Sequence, residues 1–247
     1  MDDKKILDIK TKLWPWIILF SRIVLFFLIQ GLFALVFYFL NQTEPWSMAA
    51  NYWPYVVILT NIICIYLLIQ LYKKEKKNYW NVFKIDRSFL KKDILTVLGF
   101  LVIIAPISFL PNIFLARYLL GDIESAMNLL LRPMPLWPAI FAAIIFPITQ
   151  GMVEIAAYFS YVMPRLQKQG LPLWISLGLP SLILGLQHIA VPFLMNIDFI
   201  LWRGLMYIPF AFFIGIVMKW RPRLLPYLAI IHILMNLSFG AMLLFGI

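Results

Sequence analysis

Apolar residues fall into seven long runs, at about 14–40, 53–72, 94–118, 137–163, 173–194, 199–218 and 224–247. At 1.5 Å per helical residue, each run can cross the roughly 30 Å of a bilayer's hydrocarbon. The pattern predicts an all-α polytopic membrane bundle of about seven transmembrane helices. The first run is too long for a signal-peptide core and no small-residue cleavage site follows it, so it is expected to remain as a helix. All nine tryptophans (14, 16, 46, 53, 80, 137, 174, 202 and 220) fall near run ends. Amphipathic indoles are expected there, at headgroup level.

The polar connections set the expected orientation. Seventeen of the 21 Lys and Arg lie before the first run, between 73 and 92, at Arg165 and Lys168, or at Lys219, Arg221 and Arg223. Only Arg117 and Arg132 fall in the alternate connections, while Arg22 and Arg203 lie inside runs. The positive-inside rule then places the N-terminus in the cytoplasm and the C-terminus outside. Lys73–Lys92, with its Lys-Lys-Glu-Lys-Lys cluster and Tyr79-Trp80, reads as a topology determinant that also suits anionic lipid at the interface. Residues 121–135 read as an ordered outer loop or short surface helix.

Composition agrees. The chain is 63% hydrophobic and 13% charged, against about 25% charged in a soluble domain. A net charge of +10 would suit nucleic acid only if its cations shared one exposed face, and here they are spread over short connections. Cys64 is the single cysteine, which excludes a disulfide frame or thiolate metal cluster. Three parts are expected: a cytoplasmic tail over 1–13, membrane helices without motifs over 14–135, and a chemistry-bearing part over 136–247.

An ionisable group inside a membrane span is costly and marks function by default. Of the eleven acidic residues, only Glu154 sits well inside an apolar run. Both histidines, His188 and His232, do so too, and Asn236 follows His232 by four residues, on the same helix face. A buried carboxylate opposite a histidine can act as general base on a shared water. A second histidine and an amide can donate to the oxyanion of a tetrahedral intermediate. With the fifth span starting at Pro180, a favoured first-turn position, all three ionisable groups come to lie about 12–13 Å from the cytoplasmic ends of their helices. Tyr158, Gln150 and Gln187 are supporting candidates around them.

These residues also carry a family likeness. Glu154-Ile-Ala-Ala-Tyr-Phe-Ser-Tyr-Val-Met-Pro-Arg165-Leu-Gln, Leu184-Gly-Leu-Gln-His188 and His232-Ile-Leu-Met-Asn236 resemble, in order and spacing, the three motifs of the CPBP family. These are the type II CAAX prenyl proteases and bacteriocin-processing membrane proteins, also called the ABI family. The resemblance covers about 137–247. It implies a glutamate-type intramembrane peptidase in which Glu154 and His188 activate water and His232 and Asn236 form the oxyanion hole. Two positions depart from the pattern: Ile155 stands where the motif has a second Glu, and Phe159 where it has an Arg. Losing both together leaves no orphan charge, and an apolar Ile155/Phe159 contact is the expected replacement.

The expected function is therefore hydrolysis of peptide bonds in membrane-embedded or membrane-adjacent substrates, from the cytoplasmic half of the bilayer and without a cofactor. Zinc is the alternative cofactor, since Glu154, His188 and His232 would supply three ligands of an open site, but no His-Glu-x-x-His helix is present. A catalytically silent membrane binding or immunity protein using the same cavity is the rival, favoured by the missing Glu–Arg pair. A proton-relay transporter is disfavoured by the lack of inverted repeats. Size and short termini point to a bacterial plasma membrane.

Overall fold

The computed structural model describes the backbone of residues 3–245 and the side chains of residues 12–244. Seven segments are long and apolar enough to cross a membrane: α1 (Lys12–Phe39), α2 (Trp53–Lys74), α3 (Tyr79–Leu120), α4 (Leu136–Lys168), α5 (Leu173–Ala190), α6 (Ile197–Trp220) and α7 (Pro222–Leu244). No strand occurs among the described residues. The chain is an all-α, multi-pass membrane bundle, as the apolar runs predict. The outward face is apolar, with Leu28, Val102, Phe114 and Ile216 all more than half exposed. A lipid-facing surface requires this, because lipid tails replace water as the solvent there. The helix that includes α1 begins at Asp3, so the charged N-terminal stretch extends a helix where a tail was expected. The side chains of Lys4, Lys5 and Lys10 lie outside the described residues.

The connections sort into two groups that meet at opposite ends. At one end Arg165 pairs with Glu75 through bonds of 2.6 and 2.7 Å, Lys219 donates to Gln167, and Arg223 donates to Asp93. At the other, Arg132 donates to Ser47 and Asn51, and Trp46 donates to the Phe193 carbonyl. The cation-rich segments thus share one end, which an up-and-down path of seven crossings requires. Residues 123–130 form the short helix expected in the opposite connection.

Three local expectations change. Pro180 lies inside the helix Leu173–Leu186, which starts directly after Pro172; a membrane helix tolerates an internal proline because neighbouring groups take up the freed carbonyl. Trp202 and Trp53 are buried core residues rather than interfacial ones. Each indole N–H finds an acceptor, Asn112 Oδ1 and the Leu130 carbonyl respectively, so burial leaves no unpaired donor. Trp137, Trp174 and Trp220 do stand exposed at helix ends. Tyr79, expected at the interface beside Trp80, is buried with its hydroxyl donating to the Met152 carbonyl.

That last contact follows from the shape of α4. The segment is α-helical over Leu136–Ile155, π-helical over Ala156–Val162, and α-helical again over Met163–Lys168. At the junction the Ala156 N–H bonds the Val153 carbonyl, leaving the Met152 carbonyl without its usual donor four residues on. Hydrocarbon offers no water to satisfy it, and Tyr79 supplies the missing hydrogen. Further along, Tyr72 donates to the Ser160 carbonyl and Arg165 to that of Tyr161. π-helical turns recur at functional sites, and this one begins two residues after Glu154.

The helix carrying Glu154 lies close against α7. A Cβ on Gly151 would come within 2.9 Å of the Ala229 carbonyl oxygen, and one on Gly240 within 2.8 Å of the Ala143 oxygen. Small residues at these crossings let the two backbones approach, the usual device for packing helices in lipid. The result brings His232 and Asn236 to Glu154.

Candidate active site

Glu154, His188, His232 and Asn236, from three helices, converge on one region in the bundle interior. Glu154 lies near the middle of the 33-residue α4, roughly 20 Å along the helix from Lys168. That is deeper than the ~13 Å that an apolar run ending at 163 predicts. Glu154 is 2% exposed, and every group facing it is a donor. Oε1 accepts from Gln150 Nε2 and Gln187 Nε2, each at 2.6 Å. Arg22 Nη2 lies 3.6 Å from the same oxygen. His232 Nε2 lies 2.8 Å from Oε2, at an angle off the line of a formed hydrogen bond, and its Nδ1 has no partner among the described residues.

His188 sits where α5 tightens from α-helix into the 3-10 turn Gln187–Ala190. The tightening leaves carbonyls for its ring: Nδ1 is 3.1 Å from the Leu184 and Gly185 oxygens. Carbonyls only accept, so Nδ1 carries the proton and Nε2 keeps a lone pair. The imidazole packs on Tyr207, with ring centroids 4.3 Å apart. Asn236 donates to the His232 carbonyl at 2.8 Å, which leaves its second amide hydrogen and its oxygen available. Two small adjoining cavities, of about 40 and 50 Å³, are both lined by Glu154, His188, Tyr207 and Asn236, the second also by His232. Each has room for a few waters.

The three supporting candidates are all present. Gln150 and Gln187 turn their NH₂ groups to Glu154 and their carbonyl oxygens away from it. Tyr158 donates at 3.0 Å to Gln187 Oε1, so it holds Gln187 and reaches the carboxylate only through it. What organises the two amides is a residue that sequence reasoning counted but assigned no role. Arg22, of α1, is fully buried. It donates from Nε to Gln187 Oε1 at 2.7 Å, from Nη1 to Asn61 Oδ1 at 2.6 Å and from Nη2 to Gln150 Oε1 at 3.0 Å. Asn61, of α2, returns a hydrogen to Gln150 Oε1 at 3.0 Å. The first two spans, which carry no motif, thus supply the cation nearest Glu154 and one of the site's amides. An arginine and an asparagine within apolar runs were the available signal.

Among the described residues no group of three His, Cys, Asp or Glu side chains has the arrangement of a metal centre. Glu154 and His232 approach closely, but Oε1 is already occupied by two amides.

Ile155 and Phe159 are each 1% exposed. The Phe159 ring packs over Gly215, where an added Cβ would come within 2.9 Å of it. Phe159 thus fills with hydrocarbon a position where the motif has a guanidinium. A Glu restored alone at 155 would be buried in the apolar cluster to which Ile155 and Phe159 both belong. Ile155→Glu should therefore destabilise the protein by about 3 kcal/mol, read as a lower midpoint in a detergent unfolding titration. An unchanged midpoint would contradict the compensated-pair explanation.

No family model, curated protein or solved structure matches this chain, and the reading of the site rests on the chemistry of its own residues.

Proposed function

We propose that this protein is an intramembrane peptide-bond hydrolase in which Glu154 and His188 activate a water molecule. The observation that carries the reading is the buried carboxylate whose Oε1 is saturated by two amide donors. Its Oε2 meets only His232 Nε2 and forms no aligned hydrogen bond with it, and Glu154 lines a cavity that His188 also lines. A water between Oε2 and the lone pair of His188 Nε2 has two acceptors for its protons, which raises its nucleophilicity. His232 and the free amide hydrogen of Asn236 are the donors available to a tetrahedral oxyanion. His232 now points at Oε2, and in the reaction it turns from the carboxylate to the oxyanion. The same residues support the resemblance to the CPBP family.

In the same reading the cation-rich end faces the cytoplasm of a bacterial plasma membrane, with anionic lipid against 73–92. The substrates are membrane-embedded or membrane-adjacent peptides.

The test is quantitative peptidomics on membranes from matched cells expressing the wild type or Glu154→Gln at equal levels. The carboxamide keeps the shape and loses the base, so peptides found only with the wild type are expected, and they identify substrates and cut sites together. Identical peptide pools with both proteins folded and abundant would reject hydrolysis. The silent binding protein, which the small cavity and the apolar Ile155 and Phe159 also suit, would then stand.

A further inference from the structure

The adjoining cavity of about 40 Å³ holds a charge that the hydrolytic reading does not use. Arg203, on α6, is 4% exposed and lines the cavity with Glu154, His188 and Tyr207. Its Nη2 bonds the Val191 carbonyl at 2.9 Å, a further hydrogen bond goes to the Tyr207 side chain, and the guanidinium lies 5.8 Å from the Trp202 and Tyr207 ring centroids. Its Nε has no partner among the described residues. No carboxylate there lies within ion-pair distance, and Glu154 already faces Arg22 and His232. The interior therefore contains two guanidiniums and one carboxylate at this site. A guanidinium buried in the membrane interior with no carboxylate at ion-pair distance is retained at a cost, which marks a binding role.

We infer that Arg203 receives a carboxylate of the substrate, placing an acidic group of the bound peptide in the cavity beside Glu154 and His188. The planar fork of arginine suits a carboxylate, whose two oxygens it can bind together. The space beside it, about 40 Å³, accommodates a chain terminus or one short side chain rather than a length of peptide. The occupant's carboxylate comes from the peptide's C-terminus or from an Asp or Glu side chain. The inference rests on the hydrolase reading only in calling the occupant a substrate.

Binding can be measured without turnover. Full-length Glu154→Gln protein in nanodiscs of phosphatidylcholine would be titrated with three dansylated Leu-Ala-Leu-Val-Phe probes. One is the free acid, one the C-terminal amide, and one an amide with Glu in place of the last residue. The free acid should bind at least about tenfold more tightly than the amide, as expected for a charge-assisted pair. The preference should vanish in Arg203→Gln. If the Glu-bearing amide matches the free acid, side-chain carboxylates are accepted; if it matches the plain amide, the chain terminus is required. Either result supports the site. Equal binding of acid and amide to the Arg203 form, or no binding by any probe, overturns it even if Arg203→Gln does not fold. A carboxylate preference in a protein whose wild type releases no peptides would leave the anion site standing and reject hydrolysis alone.

Discussion

Replacing Arg22 by methionine should lower the stability of the bundle by about 3–5 kcal/mol, because it breaks a buried, hydrogen-bonded charge network by removing one member. Arg22 makes three side-chain bonds between 2.6 and 3.0 Å and lies 3.6 Å from Glu154. Without it, Asn61 Oδ1 loses its donor and the buried Glu154 carboxylate loses its guanidinium. Gln187 Oε1 keeps Tyr158 and Gln150 Oε1 keeps Asn61, but each amide becomes free to turn over and present an oxygen to the carboxylate. Arg22→Lys should recover only part of the loss, since an ammonium cannot match three acceptors in a plane. The double variant Arg22→Met with Glu154→Gln leaves neither member of this pair as an orphan charge. It should be more stable than the sum of the single losses implies, by at least about 1 kcal/mol. Midpoints of sodium dodecyl sulfate titrations in mixed micelles measure the wild type and the four variants. Strictly additive losses would show that Arg22 serves the amides alone and contributes nothing to Glu154.

The degree to which sequence revealed this protein follows from the range of each signal. Seven spans were legible because backbone hydrogen bonding in hydrocarbon leaves few alternatives to a long helix. Glu154, His188 and His232 were legible because ionisable groups in such helices are rare. Depth was less so: the π-helical turn at Ala156–Val162 and the internal Pro180 depend on what packs beside them, and no local pattern marks them. The inward turn of Trp202 depends on an acceptor at Asn112, ninety residues away in sequence. Arg22 and Asn61 illustrate a different gap. Their presence in apolar runs was visible, but a lone polar residue does not name its partner. The partners, Gln150 and Gln187, could be connected to them only once α1, α2, α4 and α5 were placed together.

Removing both groups that hold the water should cost little more than removing one. If Glu154 and His188 act on a single water, Glu154→Gln and His188→Ala should each lower kcat by about 10²–10⁴. The double variant should fall within roughly tenfold of the worse single, as seen whenever catalytic groups act as a unit. Asn236→Ala tests a different contribution. Losing one oxyanion donor should cost about 10²–10³ in kcat, and that loss should persist in the Glu154→Gln background, because the residue then acts on the carbonyl rather than on the water. The measurement is a single-turnover rate on a peptide identified by the membrane comparison, with each variant reconstituted at equal density. Multiplying losses for Glu154 and His188 would place them on separate steps. One histidine would then act on the leaving amine, and the lone pair at His188 Nε2, the only free imidazole nitrogen with a fixed tautomer in the site, would have to be reassigned to proton transfer after the attack.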